Sequence, residues 1–156
     1  MLLPSLTVGE LEKLVLPKQG KSTSVEKRNQ KIRFTVRSLN DFHENQENGD
    51  ALKRSLQILF WDVTSNNDYF TGLISEEAIR LGKKSKEHEY GASRFALGLM
   101  KIALERKITE EEVRSAMAKY MTWNYTTSEE NTILRHNNQD YSKISKLVDY
   151  LQKGPF

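Results

Sequence analysis

The chain holds three histidines, 21 carboxylates and no cysteine from which a catalytic or metal centre could be built. Without cysteine, thiol nucleophiles, disulfides, redox motifs and Cys-ligated zinc are excluded. His43, His88 and His136 lie far apart, and no pair has the i, i+4 spacing that sets two imidazoles on one helical face. Three carboxylate runs, Glu76-Glu77, Glu110-Glu111-Glu112 and Glu129-Glu130, each follow a Ser or Thr. That pattern places acids against the positive end of a helix dipole and needs no catalytic role. Asp62 and Asp68 bracket a polar stretch and are the one pair placed to grip a divalent ion in a small hydrolase acting on nucleic acid. A helix-end residue and a turn residue would look the same. Gly20-Lys21-Ser22 mimics the end of a phosphate loop, but Val15 stands where the first glycine is required. No serine sits in a nucleophile elbow. The expectation is therefore a protein that is not an enzyme, with no cofactor and no metal.

Charge carries more information. The net charge is +3, yet residues 13–37 hold eight cations and one acid, Glu26. The cations are Lys13, Lys18, Lys21, Lys27, Arg28, Lys31, Arg33 and Arg37. Such a block suits phosphate-rich partners, either a nucleic-acid backbone or an anionic membrane face. A solvated linker is the competing reading. Lys83, Lys84 and Lys86 form a smaller cluster. The aromatics gather at Phe60-Trp61, Tyr69-Phe70 and from Tyr120 through Trp123 to Tyr125. Stacking of bases is one use for aromatics beside cations. Here they fall mostly outside the basic window. Phe60 and Tyr120 are expected in the core, and Trp123 and Tyr125 at an exposed partner interface.

These groups need elements to position them. Thr7 and Glu10 form a capping box for a short helix over about 8–16, and Pro17 blocks its continuation. Residues 17–30 read as a basic, mobile loop. Ile32, Phe34 and Val36 alternate with Arg33, Thr35 and Arg37, which predicts a strand over 31–37 with a basic outer face. Residues 69–74 are its candidate partner. The alternative is a helix running on through Leu39 and Phe42. Leu52, Leu56, Leu59, Phe60 and Val63 predict a helix over 51–63. Ser75 starts another short helix, which Gly82 ends. The segment from about 89 to 106 is apolar nearly all round, which predicts a central helix. Gly91 and Gly98 would let another helix approach it.

Thr109 and Glu112 form a second capping box, for a helix over about 110–123. With 92–106 it forms a tight αα unit. A helix-turn-helix reading fails there because Glu110, Glu111 and Glu112 would repel phosphate at the end that meets bases. A further helical turn starts near Thr126–Glu130, and Ile144, Leu147, Val148 and Leu151 predict a terminal helix.

The expected fold is thus mainly α: one compact domain over 1–156, with five to six helices and a two-stranded sheet of 31–37 and 69–74 as an option. No apolar run is long enough to span a membrane, and Met1-Leu2-Leu3-Pro4 lacks a basic n-region. The expected setting is cytoplasmic or nuclear, neither secreted nor transmembrane. The function expected is a non-catalytic binding and assembly protein. Its basic segment would contact RNA or DNA backbone without reading sequence, and its helical body would associate with itself or a partner as an oligomer. An anionic membrane is the second-choice partner. A protein–protein adaptor without nucleic acid is the alternative function, and no small-molecule substrate is expected.

Overall fold

The computed structural model describes residues 24–150, which form six α-helices and a small mixed sheet. In chain order these are α1 (Ser24–Glu44), α2 (Gly49–Thr64), β1 (Phe70–Ser75), α3 (Glu76–Leu81), β2 (Ser85–His88), α4 (Ala92–Glu105), α5 (Glu110–Tyr120), β3 (Trp123–Thr126), α6 (Ser128–His136) and β4 (Leu147–Asp149). Short 3-10 turns at Asn67–Tyr69 and Tyr141–Lys143 precede β1 and β4. The helix expected over 8–16 lies outside the described residues.

The strand expected over 31–37 is helical, as is the part of the 17–30 loop from Ser24 onward. Two periodicities compete in this stretch. Ile32, Thr35, Leu39 and Phe42 recur at helical spacing and are all at most 8% exposed, whereas Phe34 of the alternating set is 50% exposed. The helical set is longer and extends past Val36, so it wins. Thr35, the polar member, donates to the Lys31 carbonyl within the helix at 2.9 Å, so its burial leaves no orphan hydroxyl.

Helices α1, α2, α4 and α5 enclose the main hydrophobic core. Phe60 of α2 meets Phe95 of α4 edge to face, with ring centroids 4.8 Å apart. Contrary to the all-round apolar reading, α4 buries one face, through Phe95, Ala96, Leu99 and Ala103, and leaves Leu97, Ile102 and Leu104 exposed. Among the described residues, no atom outside the helix's own turns lies within 4 Å of a Cβ built on Gly98, so none of the described helices makes a close approach there. Helices α4 and α5 follow one another through a short turn, but they do not pack as the expected tight pair: each packs against α1 instead. The Asn40 side chain of α1 clamps that turn, accepting from Ile108 N–H at 2.8 Å and donating to Ile108 C=O at 3.1 Å. Thr109 and Glu112 make the capping box.

The sheet has the order β2-β3-β1-β4. β3 runs parallel to β1 and antiparallel to β2, and β4 runs antiparallel to β1. It therefore has four strands, and the partners of β1 are not residues 31–37. Over the described residues, the predicted terminal helix is replaced by a 3-10 turn and β4, which pairs Leu147–Asp149 with Leu73–Ser75; Leu151 lies outside them. Four apolar residues at helical spacing offer little nucleation. Pairing instead covers the edge of β1 that would stand open. Among the described residues no helix is long and apolar enough to cross a membrane.

Candidate functional site

Helix α1 divides the predicted cations between its flanks. Arg28 pairs with Asp68 at 3.0 Å, Lys31 with Asp62, and Arg33 with Glu110 at 3.6 Å. At 100° per residue, Lys31 and Arg33 project about 160° apart. The single basic face of a strand is therefore not formed. Lys27 and Arg37 are exposed with no ion-pair partner among the described residues. Lys13, Lys18 and Lys21 lie outside those residues, as does Gly20-Lys21-Ser22. Asp62 and Asp68, the pair considered for a metal, each face a cation of α1 instead of each other. Among the described residues no group of three or more His, Asp or Glu comes together to hold an ion.

The sheet assembles a different constellation. Antiparallel pairing sets Lys86 opposite Tyr125 and His88 opposite Trp123, so these four side chains share one face. Phe70 of β1 stacks on Trp123 at 4.6 Å and lies 5.1 Å from Tyr125. Tyr150, just past β4, adds a ring 5.6 Å from Tyr125. The Lys84 ammonium sits 4.4 Å from the Tyr125 centroid and 4.9 Å from that of Tyr150. It also donates to the Tyr150 hydroxyl at 3.0 Å, which pushes its pKa upward and keeps it cationic. Lys86 lies over Trp123 at 4.9 Å and donates to the Ser65 carbonyl at 2.6 Å.

Trp123 is fully buried, which corrects its expected place at an exposed interface. Its ring is sandwiched between Phe70 and Lys86, and its Nε1–H donates to the Asn66 carbonyl at 3.0 Å. Tyr125 stays half-buried at the edge of a groove of ≈ 680 Å³. Phe70, Tyr125 and Tyr150 supply its aromatic wall and Asp149 its one acid. Gly72 forms part of the floor, with a left-handed φ of 86° that disfavours any side chain there. Its carbonyl accepts from Tyr150 N–H at 2.9 Å, fixing that ring's backbone.

Comparison with family models, curated proteins and solved structures returns no match to this chain. Function therefore rests on the geometry of the chain itself.

The opposite face of the sheet is a polar core. Glu87 is 5% exposed; it accepts from Tyr141 Oη at 2.5 Å and Gln139 Nε2 at 2.6 Å. Burial pushes its carboxyl up to about 7, with the neighbouring Glu89 charge adding to the rise and bonds from Tyr141, Asn124 and Gln139 opposing it. Gln139 also donates to the His88 carbonyl at 3.2 Å, which ties down a turn where Asn138 and Gln139 have φ of 52° and 60°. Glu130 is the second buried carboxylate. Burial alone would raise its pKa, but donors from Ser145, Ser75 and Thr127 outweigh that and hold it low. His88 faces α2, where its Nε2 meets the Thr64 hydroxyl at 2.8 Å. Burial, helped by Lys86, holds the imidazole neutral, with a pKa near 4. His43 binds the Ala103 carbonyl at 2.8 Å and His136 is exposed.

Sequence reasoning did not place Lys84, Phe70 or Tyr150 at a site. The cluster Lys83-Lys84-Lys86 was the available signal, and it points to the aromatic groups only once β2 is paired with β3.

Proposed function

We propose that the protein is a non-catalytic binding and assembly protein that takes single-stranded RNA or DNA on the groove face of its sheet. The observation that carries this reading is the Lys84 ammonium held over the Tyr125 and Tyr150 rings, two of the rings that wall the groove. Sequence-tolerant binding of single strands needs rings for the bases and fixed cations for the phosphates, at close quarters. The rings line the groove, and the Lys84 ammonium lies against two of them. Arg28 is bonded to Asp68, the neighbour of groove residue Asn67, so the start of α1 lies beside the same site. In this reading Arg28 adds a backbone contact at that end of the groove, and the helical body associates with itself or a partner.

Binding of a fluorescent 12-mer tests the reading. Tyr125→Ala is expected to weaken it about 10- to 100-fold, the loss of one stacking contact. Lys84→Ala is expected to reduce the slope of log affinity against log salt by about one. Wild-type protein that binds no 12-mer at low salt would overturn the proposal. Capture by anionic vesicles in place of the oligonucleotide would move the reading to a membrane surface. Association with other proteins alone would favour the adaptor.

A further inference from the structure

Among the described residues, the outer face of α2 carries an exposed apolar pair, of which Trp61 also meets the His88 ring at 4.4 Å. Ile58 is 64% exposed and Trp61, one turn on, is 43% exposed. The other positions along this ridge are Asp50, Ala51, Arg54, Ser55 and Asp62, all exposed. We infer that two copies of the chain associate through this ridge, with their α2 helices antiparallel about a two-fold axis through Ile58. The inference rests on the assembly half of the function proposed above.

The ridge is complementary to itself in charge and in shape. An antiparallel pair centred on Ile58 sets residue 54 opposite residue 62. Arg54 of each copy then faces Asp62 of the other, twice over. Arg54 has no ion-pair partner among the described residues. Asp62 holds Lys31 through one oxygen, Oδ2, and its side chain remains 54% exposed. The same register sets residue 61 opposite residue 55. Trp61 thus enters a hole made by Ala51, Ser55 and Ile58 of the other copy, two of them small. A closed two-fold contact needs such self-complementarity of one patch. A parallel pairing would instead set Arg54 against Arg54 and Asp62 against Asp62.

The size of the ridge sets the expected strength. A 16-residue helix is about 24 Å long, and one helix pair falls in the small, transient class of interfaces. Association is therefore expected between about 10 and 500 µM.

Sedimentation of the full chain over that range tests the inference. The mean mass is expected to rise from 18.1 kDa towards twice that value. Ile58→Arg changes an exposed position, so the fold is kept, and it is expected to abolish the rise. Arg54→Asp and Asp62→Arg are each expected to weaken association at least ~10-fold, while an equimolar mixture of the two associates, because both cross-pairs are then restored. A covalent check avoids charge altogether. The chain has no cysteine, so Ile58→Cys with a short bismaleimide should give a doubled mass, and the exposed Ala118→Cys should not. A wild-type chain that stays monomeric throughout, or an Ile58→Arg chain that associates undiminished, overturns the inference. A monomer that still binds the 12-mer sinks this inference alone and leaves the groove reading standing.

Discussion

Glu87→Gln is expected to raise the stability of the folded chain by about 3 kcal/mol at pH 8 and to leave it nearly unchanged at pH 4. The carboxyl titrates near 7 when folded, against an ordinary value of 4.5. A group that binds its proton more tightly when folded stabilises the fold fully below pH 4.5. That stabilisation is lost as pH rises to about 7. Glutamine keeps the neutral shape: its oxygen can accept from Gln139 and its amide can donate to the Tyr141 oxygen. His88, the next residue, works in the opposite sense. Its folded pKa is near 4 against an ordinary 6.5, so its contribution is complete above pH 6.5 and is lost as pH falls to about 4. The two losses overlap between pH 4.5 and 6.5 and offset each other. Wild-type stability should be nearly flat there. Glu87→Gln should instead show stability climbing with pH through that window, and His88→Gln should show it falling. Urea unfolding at whole pH units from 4 to 8 reads all three curves. A wild-type curve with a steep slope between pH 4.5 and 6.5, or a Glu87→Gln curve that parallels it, would contradict the assignment.

The helices were legible wherever a start signal stood next to a buried face. Thr109 with Glu112, Ser75 with Ala78, and the Leu56, Phe60 and Val63 row of α2 are read directly from spacing. Strand β1 is also visible. The other strands are not, and the reason lies in what they bury. β2 and β3 turn Glu87, Asn124 and Thr126 inward, so the buried face of the sheet is polar and hydrophobic alternation carries no signal. In α1 the signal was present twice, and Phe34 and Val36 suited the wrong period. The candidate site was less legible still. The partners of Arg28 and Lys31 stand 40 and 31 residues away, and Lys84 meets Tyr150 across 66 residues. A cation count along the chain registers neither the acids that pair with Arg28, Lys31 and Arg33 nor the rings that gather under Lys84.

Glu130→Ala is expected to cost about 3 kcal/mol, because it leaves several buried neutral donors without an acceptor, at about 1–3 kcal/mol each. One oxygen of this carboxylate accepts from Ser75 Oγ at 2.5 Å and Thr127 N–H at 3.1 Å, and the other from Ser145 Oγ at 2.6 Å and N–H at 3.0 Å. It therefore joins three elements: the start of α6, the junction of β1 with α3, and the segment that leads into β4. Alanine leaves those donors buried without an acceptor, whereas an apolar pair at such a site would not. Glu130→Gln should cost less, because one oxygen still accepts while its amide faces the Ser145 N–H. The consequence reaches the groove, because Ser145 is the anchor from which β4 delivers Tyr150. Loss of that anchor should weaken oligonucleotide binding by as much as Tyr150→Ala does, even under conditions where far-UV dichroism shows the helices intact. Chemical denaturation measures the first effect and 12-mer binding the second. If Glu130→Ala unfolds more easily yet binds as tightly as wild type, Tyr150 does not belong to the binding face. If its stability is unchanged, the carboxylate is not the tie between α6 and β4.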